Sequence, residues 1–330
     1  MSIPPVVVAT ARMGWNWQWN QLMNGLAPAD VEGNYQRPQS QHRKAKLTEV
    51  CELEQRSSEL LPRLLIGRSC PWAHRTWLVH QLRDLKDTLT IQLVYANHSA
   101  GRWELETPWM GCESLLDIYK RCGSPPSHRA TVPALVDPGK NQEENPSLIG
   151  NESTQLIKVL NQWPTSKKSD DLAPAKLKDE INNWDRKLKH SVNDGVYRCG
   201  FARNQAAYNK ASQELFSSLE MVDKSLSRKG PWLCGKKITL ADIRLFPTLI
   251  RWEMIYMPLF GCSQRPLWSF RNIWQWRQRF MALQSVSSTC DAQAWRNDYF
   301  GALFPLNPSN IVPAGPDLMQ IINVSAPHLQ

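Results

Sequence analysis

Three apolar residues, Leu64-Leu65-Ile66, run into the turn Gly67-Arg68-Ser69 and are followed at once by Cys70-Pro71 and a stretch in which Leu78, Leu82 and Leu85 recur at helical spacing. A short apolar run, a turn and a 3.6-residue period describe a buried strand feeding a helix, and this unit constrains the chain more than any other stretch. Pro71 suits the first helical position, where a missing N–H leaves nothing unsatisfied. The expectation is a strand over 63–67 and a helix over 71–85, with Cys70 at its N-cap. A thiol there faces unpaired amides and the positive end of the helix dipole, so its pKa should fall, with His74 and Arg75 adding positive potential. The competing reading is a cysteine that merely packs. The cap position and Pro71 favour reactivity.

Further along, Leu89, Ile91, Leu93 and Tyr95 alternate with Thr90 and Gln92, which predicts a strand over 90–96. A long loop with short helical pieces is expected to about 130. Then come a short strand with a proline inside it (Thr131 to Val136), a second around Ser147-Leu148-Ile149, and a helix from Glu152 to Leu160. This alternation fits a thioredoxin-like sheet. Cys70-Pro71-Trp72-Ala73 also resembles the C-x-x-C redox motif of thioredoxin-like proteins, with Ala73 where the second cysteine would stand. Lacking that resolving thiol, a mixed disulfide on Cys70 needs an external thiol for release, glutathione foremost.

The segment from Pro164 to Pro174 is polar and bounded by proline, as linkers are. Beyond it helices are predicted near 175–190, 204–228, 239–256 and 269–283, the third opening on a capping box between Thr239 and Asp242. Residues 1–55, with Trp15, Trp17 and Trp19, carry no regular period and read as an extension packed on the body. The expected organisation is therefore an extension (1–55), a thioredoxin-like α/β domain (56–163), a linker (164–174), an all-helical domain (175–316) and an aperiodic tail (317–330).

Composition narrows the chemistry. The 330 residues are 42% hydrophobic and 21% charged, ordinary for a folded globular chain. Eight cysteines are scattered with no paired C-x-x-C units, which disfavours both a metal site and a disulfide framework. No apolar run reaches a membrane span and no leader peptide is readable, so a cytoplasmic protein with no membrane partner is expected. The net charge of +9 is dispersed rather than clustered. That excludes a recognisable nucleic-acid module and suits attraction of small anions.

Taken together, Cys70 to Arg75 on the first half and Gly230 to Asp242 opening a helix in the second resemble the glutathione transferase superfamily. Gly195-Val196-Tyr197-Arg198-Cys199-Gly200-Phe201-Ala202, Thr239 through Arg251, and Asn307 through Pro316 are similar to the glutathionyl-hydroquinone reductases, or Xi-class transferases, from about Gly33 to Pro316. The resemblance implies a homodimeric cysteine enzyme that uses glutathione as co-substrate, takes quinone-derived small molecules and needs no metal. It implies Cys70 as nucleophile and Tyr197 and Tyr299 near the acceptor. Trp103, Arg129, Val132, Pro133, Glu152 and Ser153 would bind glutathione, with a cis Val132-Pro133 bond presenting the Val132 backbone to the peptide. Physically, Glu152-Ser153 is equally a helix cap, Arg129 a surface charge, Trp103 a core residue and the tyrosines buried structural groups. Asp298 and Phe300 depart from the family, where histidine precedes and a second tyrosine follows the position of Tyr299. Three further readings stay open: an omega-like thiol transferase or dehydroascorbate reductase, a non-enzymatic binding protein with Cys70 idle, and a conventional conjugating transferase, which a cysteine disfavours.

Overall fold

The computed structural model describes residues 3–40, 53, 56–141, 144–165 and 167–323. Most of the extension past residue 40 and the end of the tail past Asn323 lie outside them. The apolar run predicted to be a strand forms β1 (Arg63–Gly67), whose Leu64, Leu65 and Ile66 are fully buried. Burial on both faces is what a continuous apolar run requires, and it places β1 at the centre of the sheet. It pairs in parallel with β2 (Thr90–Asn97) and antiparallel with β5 (Ala134–Asp137), which in turn pairs with β6 (Ser147–Gly150).

The stretch expected as a loop with short helical pieces to about 130 does hold a short helix, α3 (Leu115–Arg121), but ahead of it lie two strands that were not expected, β3 (Arg102–Trp109) and β4 (Cys112–Ser114). The sheet order is thus β4-β3-β2-β1-β5-β6. Strand β3 was hidden because its polar residues Arg102, Glu104 and Glu106 alternate only with Trp103 and Leu105 before Thr107 and Pro108 break the period, and because it buries only Leu105 and Trp109 well. Between β1 and β2 runs α2 (Pro71–Leu82), shorter than the expected 71–85, since Asp84 takes a positive φ of 50° just beyond its end. The helix α4 (Ser153–Asn161) packs beside α2 on the same side. This is a thioredoxin-like layer.

Beyond it the chain is helical. After the short helical turn Ala175–Leu177 come α5 (Lys178–Leu188), α6 (Gly195–Gly200), α7 (Gln205–Lys229), α8 (Leu240–Ile250), α9 (Met257–Phe260), α10 (Arg271–Met281), α11 (Gln284–Ser287) and α12 (Ala292–Ala302). Every residue of α8 is buried, so it is the axis of this half and lies against α2. The expected capping box is present: Asp242 Oδ2 accepts from the Thr239 amide at 3.0 Å, while Oδ1 takes the Leu233 amide at 2.8 Å and the Trp276 indole at 3.0 Å. The expected 239–256 helix breaks after Ile250 into a π turn, Trp252–Tyr256, preceded by Pro247 within α8.

The first part of the chain is not irregular. Pro5–Leu26 forms the first helix, α1, most of which is exposed, so its apolar residues need not share one face. It docks through Met23, which is fully buried, and through the Trp19 indole, which donates to Pro305 O at 3.2 Å. In the tail, Leu318–Asn323 is helical, buries Leu318 and Ile322, and is held by Gln278 Nε2 donating to Ile322 O at 2.6 Å.

Candidate active site

The turn from β1 to α2 sets Cys70 at the helix N-cap with φ −72° and ψ 116°, as the strand–turn–helix pattern requires. The thiol donates to Val132 O at 3.5 Å, and the Val132-Pro133 bond just ahead of β5 is cis. Burial pushes the Cys70 thiol up from its ordinary value, opposed by the Ala73 and Trp72 amides and then by the Arg37 and Arg251 guanidiniums. This corrects the expected fall: the helix terminus and the cations act in the anticipated direction, but desolvation outweighs them. His74 also departs from expectation. Burial and the neighbouring Arg251 hold its imidazole well below the usual range, so it is neutral at pH 7. Arg251 Nη1 donates to His74 Nδ1 at 2.9 Å, which leaves Nε2 to donate to Thr289 Oγ1 at 2.7 Å.

Beside the cysteine turn a cleft of about 420 Å³ is lined by Arg129, Thr131, Val132, Pro133, Glu152, Ser153, Trp72, Tyr197 and residues of the N-terminal extension. Glu152 caps α4 by accepting from Thr154 N at 3.2 Å and still faces the cleft. Asn151 beside it donates to Tyr119 Oη at 3.0 Å, fixing the β6–α4 corner. Trp103 stands apart from this group. It sits on β3 opposite Ala96, and its ring lies over Gly67, where a Cβ would come within 2.6 Å of it. Close approach of that ring to the strand is why position 67 takes glycine.

Tyr197 on α6 and Tyr299 on α12 meet, their hydroxyls 2.6 Å apart, and Tyr256 adds a third hydroxyl 3.2 Å from that of Tyr299. Burial raises Tyr197 and Tyr299 well above the usual phenol value and lifts Tyr256 as well, so all are protonated at pH 7. Tyr197 lines the cleft, stacked 6.1 Å from Trp72. Phe300 is buried, whereas Asp298 accepts a hydrogen bond of 2.5 Å from Ser69 Oγ and lies 3.4 Å from His98 Nε2. The departure at Asp298 therefore braces the residue preceding the cysteine.

Sequence reasoning missed Arg37, Trp72, Tyr256 and Arg251. Trp72 and Arg251 stood inside motifs already singled out, and Arg37 lies within the extension, near the Gly33 start of the family resemblance. In the fold Arg37 covers one approach to Trp72 with its guanidinium 3.6 Å from the ring, and Arg75 lies 4.3 Å from it. Tyr256 carried no signal, since only the π turn aims it at Tyr299. Among the described residues no cluster of three or more His, Cys, Asp or Glu could hold a metal, and no helix is long and apolar enough to cross a membrane. The seven described cysteines are all free.

Residues 205–279 match the glutathione S-transferase C-terminal domain family. The glutathionyl-hydroquinone reductase PcpF of Sphingobium chlorophenolicum is 30% identical over 262 residues, covering 77% of this chain and 82% of that protein. The Xi glutathione transferase of Phanerochaete chrysosporium superposes with a TM-score of 0.78 at 28% identity, over 87% of this chain and 94% of its own. The glutathione-bound structure of YqjG from Escherichia coli K-12 gives 0.70 at 29% identity, over 78% of this chain and 85% of its own.

Proposed function

The chain belongs to the glutathionyl-hydroquinone reductases of the Xi class, a family of glutathione-dependent enzymes, and we propose that it reduces glutathionyl-hydroquinones through a mixed disulfide on Cys70. The observation that carries this reading is that the Cys70 thiol bonds the Val132 carbonyl, and that Val132, Glu152, Ser153 and Tyr197 line one cleft beside it.

Residues 56–163 present glutathione and residues 175–316 the acceptor. The Val132 backbone pairs with the main chain of the peptide. The first amides of α4 and the Ser153 hydroxyl receive the γ-glutamyl carboxylate, Glu152 meets its ammonium, and Arg129 lies within reach of the glycyl carboxylate. Cys70 as thiolate attacks the sulfur that joins glutathione to the ring. The Cys70–sulfur bond forms, the carbon–sulfur bond breaks with its electron pair passing to the ring carbon, and that carbon takes a proton. Tyr197 is the donor, and Tyr299 and Tyr256 behind it replace the proton along their hydroxyl chain. A glutathione thiolate then attacks the glutathionyl sulfur, releasing oxidised glutathione and the Cys70 thiolate. Ala73, in place of a resolving cysteine, makes this second thiol obligatory.

The test is incubation with a glutathionyl-hydroquinone and glutathione, following hydroquinone release. Release by the parent and none by Cys70→Ser is expected. Turnover of simple glutathione mixed disulfides with no hydroquinone release would replace this reading with an omega-like thiol transferase.

A further inference from the structure

The guanidinium of Arg251 is fully buried, yet it has no anionic partner among the described residues. Its Nε donates to Ser69 O at 3.3 Å, Nη2 to Arg68 O at 3.3 Å, and Nη1 to Pro247 O and His74 Nδ1, each at 2.9 Å. Its carbon centre lies 4.1 Å from the Trp295 ring, and the Trp295 indole donates to Arg68 O at 3.1 Å. Two other buried arginines of this half are neutralised differently: Arg277 forks onto Glu253 at 2.7 and 3.1 Å, and Arg244 lies 3.1 Å from Asp185. A buried charge left without a counter-ion is costly, so its retention beside a nucleophile calls for an anion that forms during turnover.

We propose that Arg251 is the positioning residue of the cysteine turn: from the helical half it clamps Arg68 and Ser69 and supplies the fixed positive charge against which the Cys70 thiolate forms. This rests on the reading of Cys70 as the nucleophile and adds to it the source of the thiolate's stabilisation. Asp298 completes the clamp by accepting the Ser69 hydroxyl. Arg251 is the buried permanent cation bonded to the turn itself: Arg75 on α2 is buried too but donates to Arg244 O and lies over the Trp72 ring, and the Asp298 carboxylate is held by Ser69 and His98. On α2 His74 is neutral; on the π turn and α12 Tyr256 and Tyr299 are protonated phenols, and past α11 burial lifts Cys290 to about 12. Arg37 is the other cation that acts on the thiol, but its side chain is 32% exposed. Solvent and salt therefore screen Arg37, and they do not reach Arg251.

Alkylation of Cys70 by iodoacetamide across pH, read by mass on the full chain, tests this without any substrate, so it stands or falls separately from the hydroquinone assay. Arg251→Gln should slow alkylation at pH 7 about 10-fold or more by raising the pH at which the thiolate forms, a shift of at least one unit. Arg251→Lys keeps the charge and loses the fork. It should hold most of the thiol acidity while lowering kcat with little change in the KM for glutathione. The parent itself supplies a measurement that does not depend on either variant folding: its alkylation midpoint should be the same at 0.05 M and 1 M salt. A midpoint that climbs with salt assigns the effect to Arg37 and overturns the proposal. A parent-like alkylation profile in a folded Arg251→Gln protein does the same.

Discussion

Replacing Tyr197 by phenylalanine isolates one hydroxyl. The ring keeps its contacts with Trp72 at 6.1 Å, Phe201 at 6.0 Å and Phe260 at 5.3 Å, so packing around the cleft is retained. What disappears is the 2.6 Å hydrogen bond to Tyr299 and the proton nearest the cleft. A buried hydrogen bond contributes about 1 kcal/mol, too little to unfold a domain of this size. A positioned general acid contributes roughly 10²- to 10⁴-fold in rate, equivalent to about 3–5 kcal/mol of barrier. The loss should fall on one substrate only. Breaking a carbon–sulfur bond requires protonation of carbon, whereas a thiolate leaves a disulfide unaided. Tyr197→Phe is therefore expected to reduce kcat on a glutathionyl-hydroquinone about 10²-fold or more and to leave turnover of a simple glutathione mixed disulfide within about 3-fold of the parent. Tyr299→Phe should cost less, about 10-fold, because Tyr197 keeps its own proton and loses only its replacement. Both activities would be followed by stopped assays of hydroquinone and of oxidised glutathione. Equal fractional losses on the two substrates would refute the argument and make the phenols structural; no loss on either would place the donor elsewhere.

Because burial lifts the Cys70 thiol, its alkylation rate should still be rising with pH where an exposed cysteine has levelled off, and a plateau below the ordinary thiol range would contradict the burial seen here. His74 and His80 are both held below the usual imidazole value by burial, so the unfolded chain binds more protons than the folded one as pH falls through about 6.5. Stability is then lost on acidification, roughly 1 kcal/mol for His74 between pH 7.5 and 5.5, and a thermal midpoint that stays flat over that window would count against the neutral His74. Asp242→Ala strips the partners from the buried Leu233 and Thr239 amides and the Trp276 indole and should destabilise the chain by about 3–5 kcal/mol in urea unfolding, a loss under about 1 kcal/mol being incompatible with those bonds. Gly67→Ala drives a Cβ to 2.6 Å from the Trp103 ring and should cost about 1–3 kcal/mol, read the same way; a neutral result would mean that the ring moves freely aside.

The local unit at Cys70 was settled by sequence alone. An apolar run, a glycine turn and a proline at the first helical position leave the backbone little choice, and β1, the N-cap cysteine and the start of α2 fall where that pattern puts them, although the helix ends at Leu82 and not at 85. The capping box at Thr239 and Asp242 was equally legible, because both partners lie within one helical turn. Strand β3 and helix α1 were not, since each buries too little to impose a period on its residues. The acidity of Cys70 was beyond sequence for a different reason: neighbours in the chain give the sign of the dipole and of nearby charges, but desolvation depends on what packs over the thiol from elsewhere. Tertiary structure alone brought Tyr256 to Tyr299 across 43 residues, set Trp103 against Gly67, and turned His74 from a supposed cation into a neutral acceptor. It also delivered Arg251, 182 residues from Ser69, to the turn that carries the thiol. Local bonding patterns are written in consecutive residues, whereas burial and long-range charge are properties of the packed whole, and in this protein they decide the state of the reactive groups.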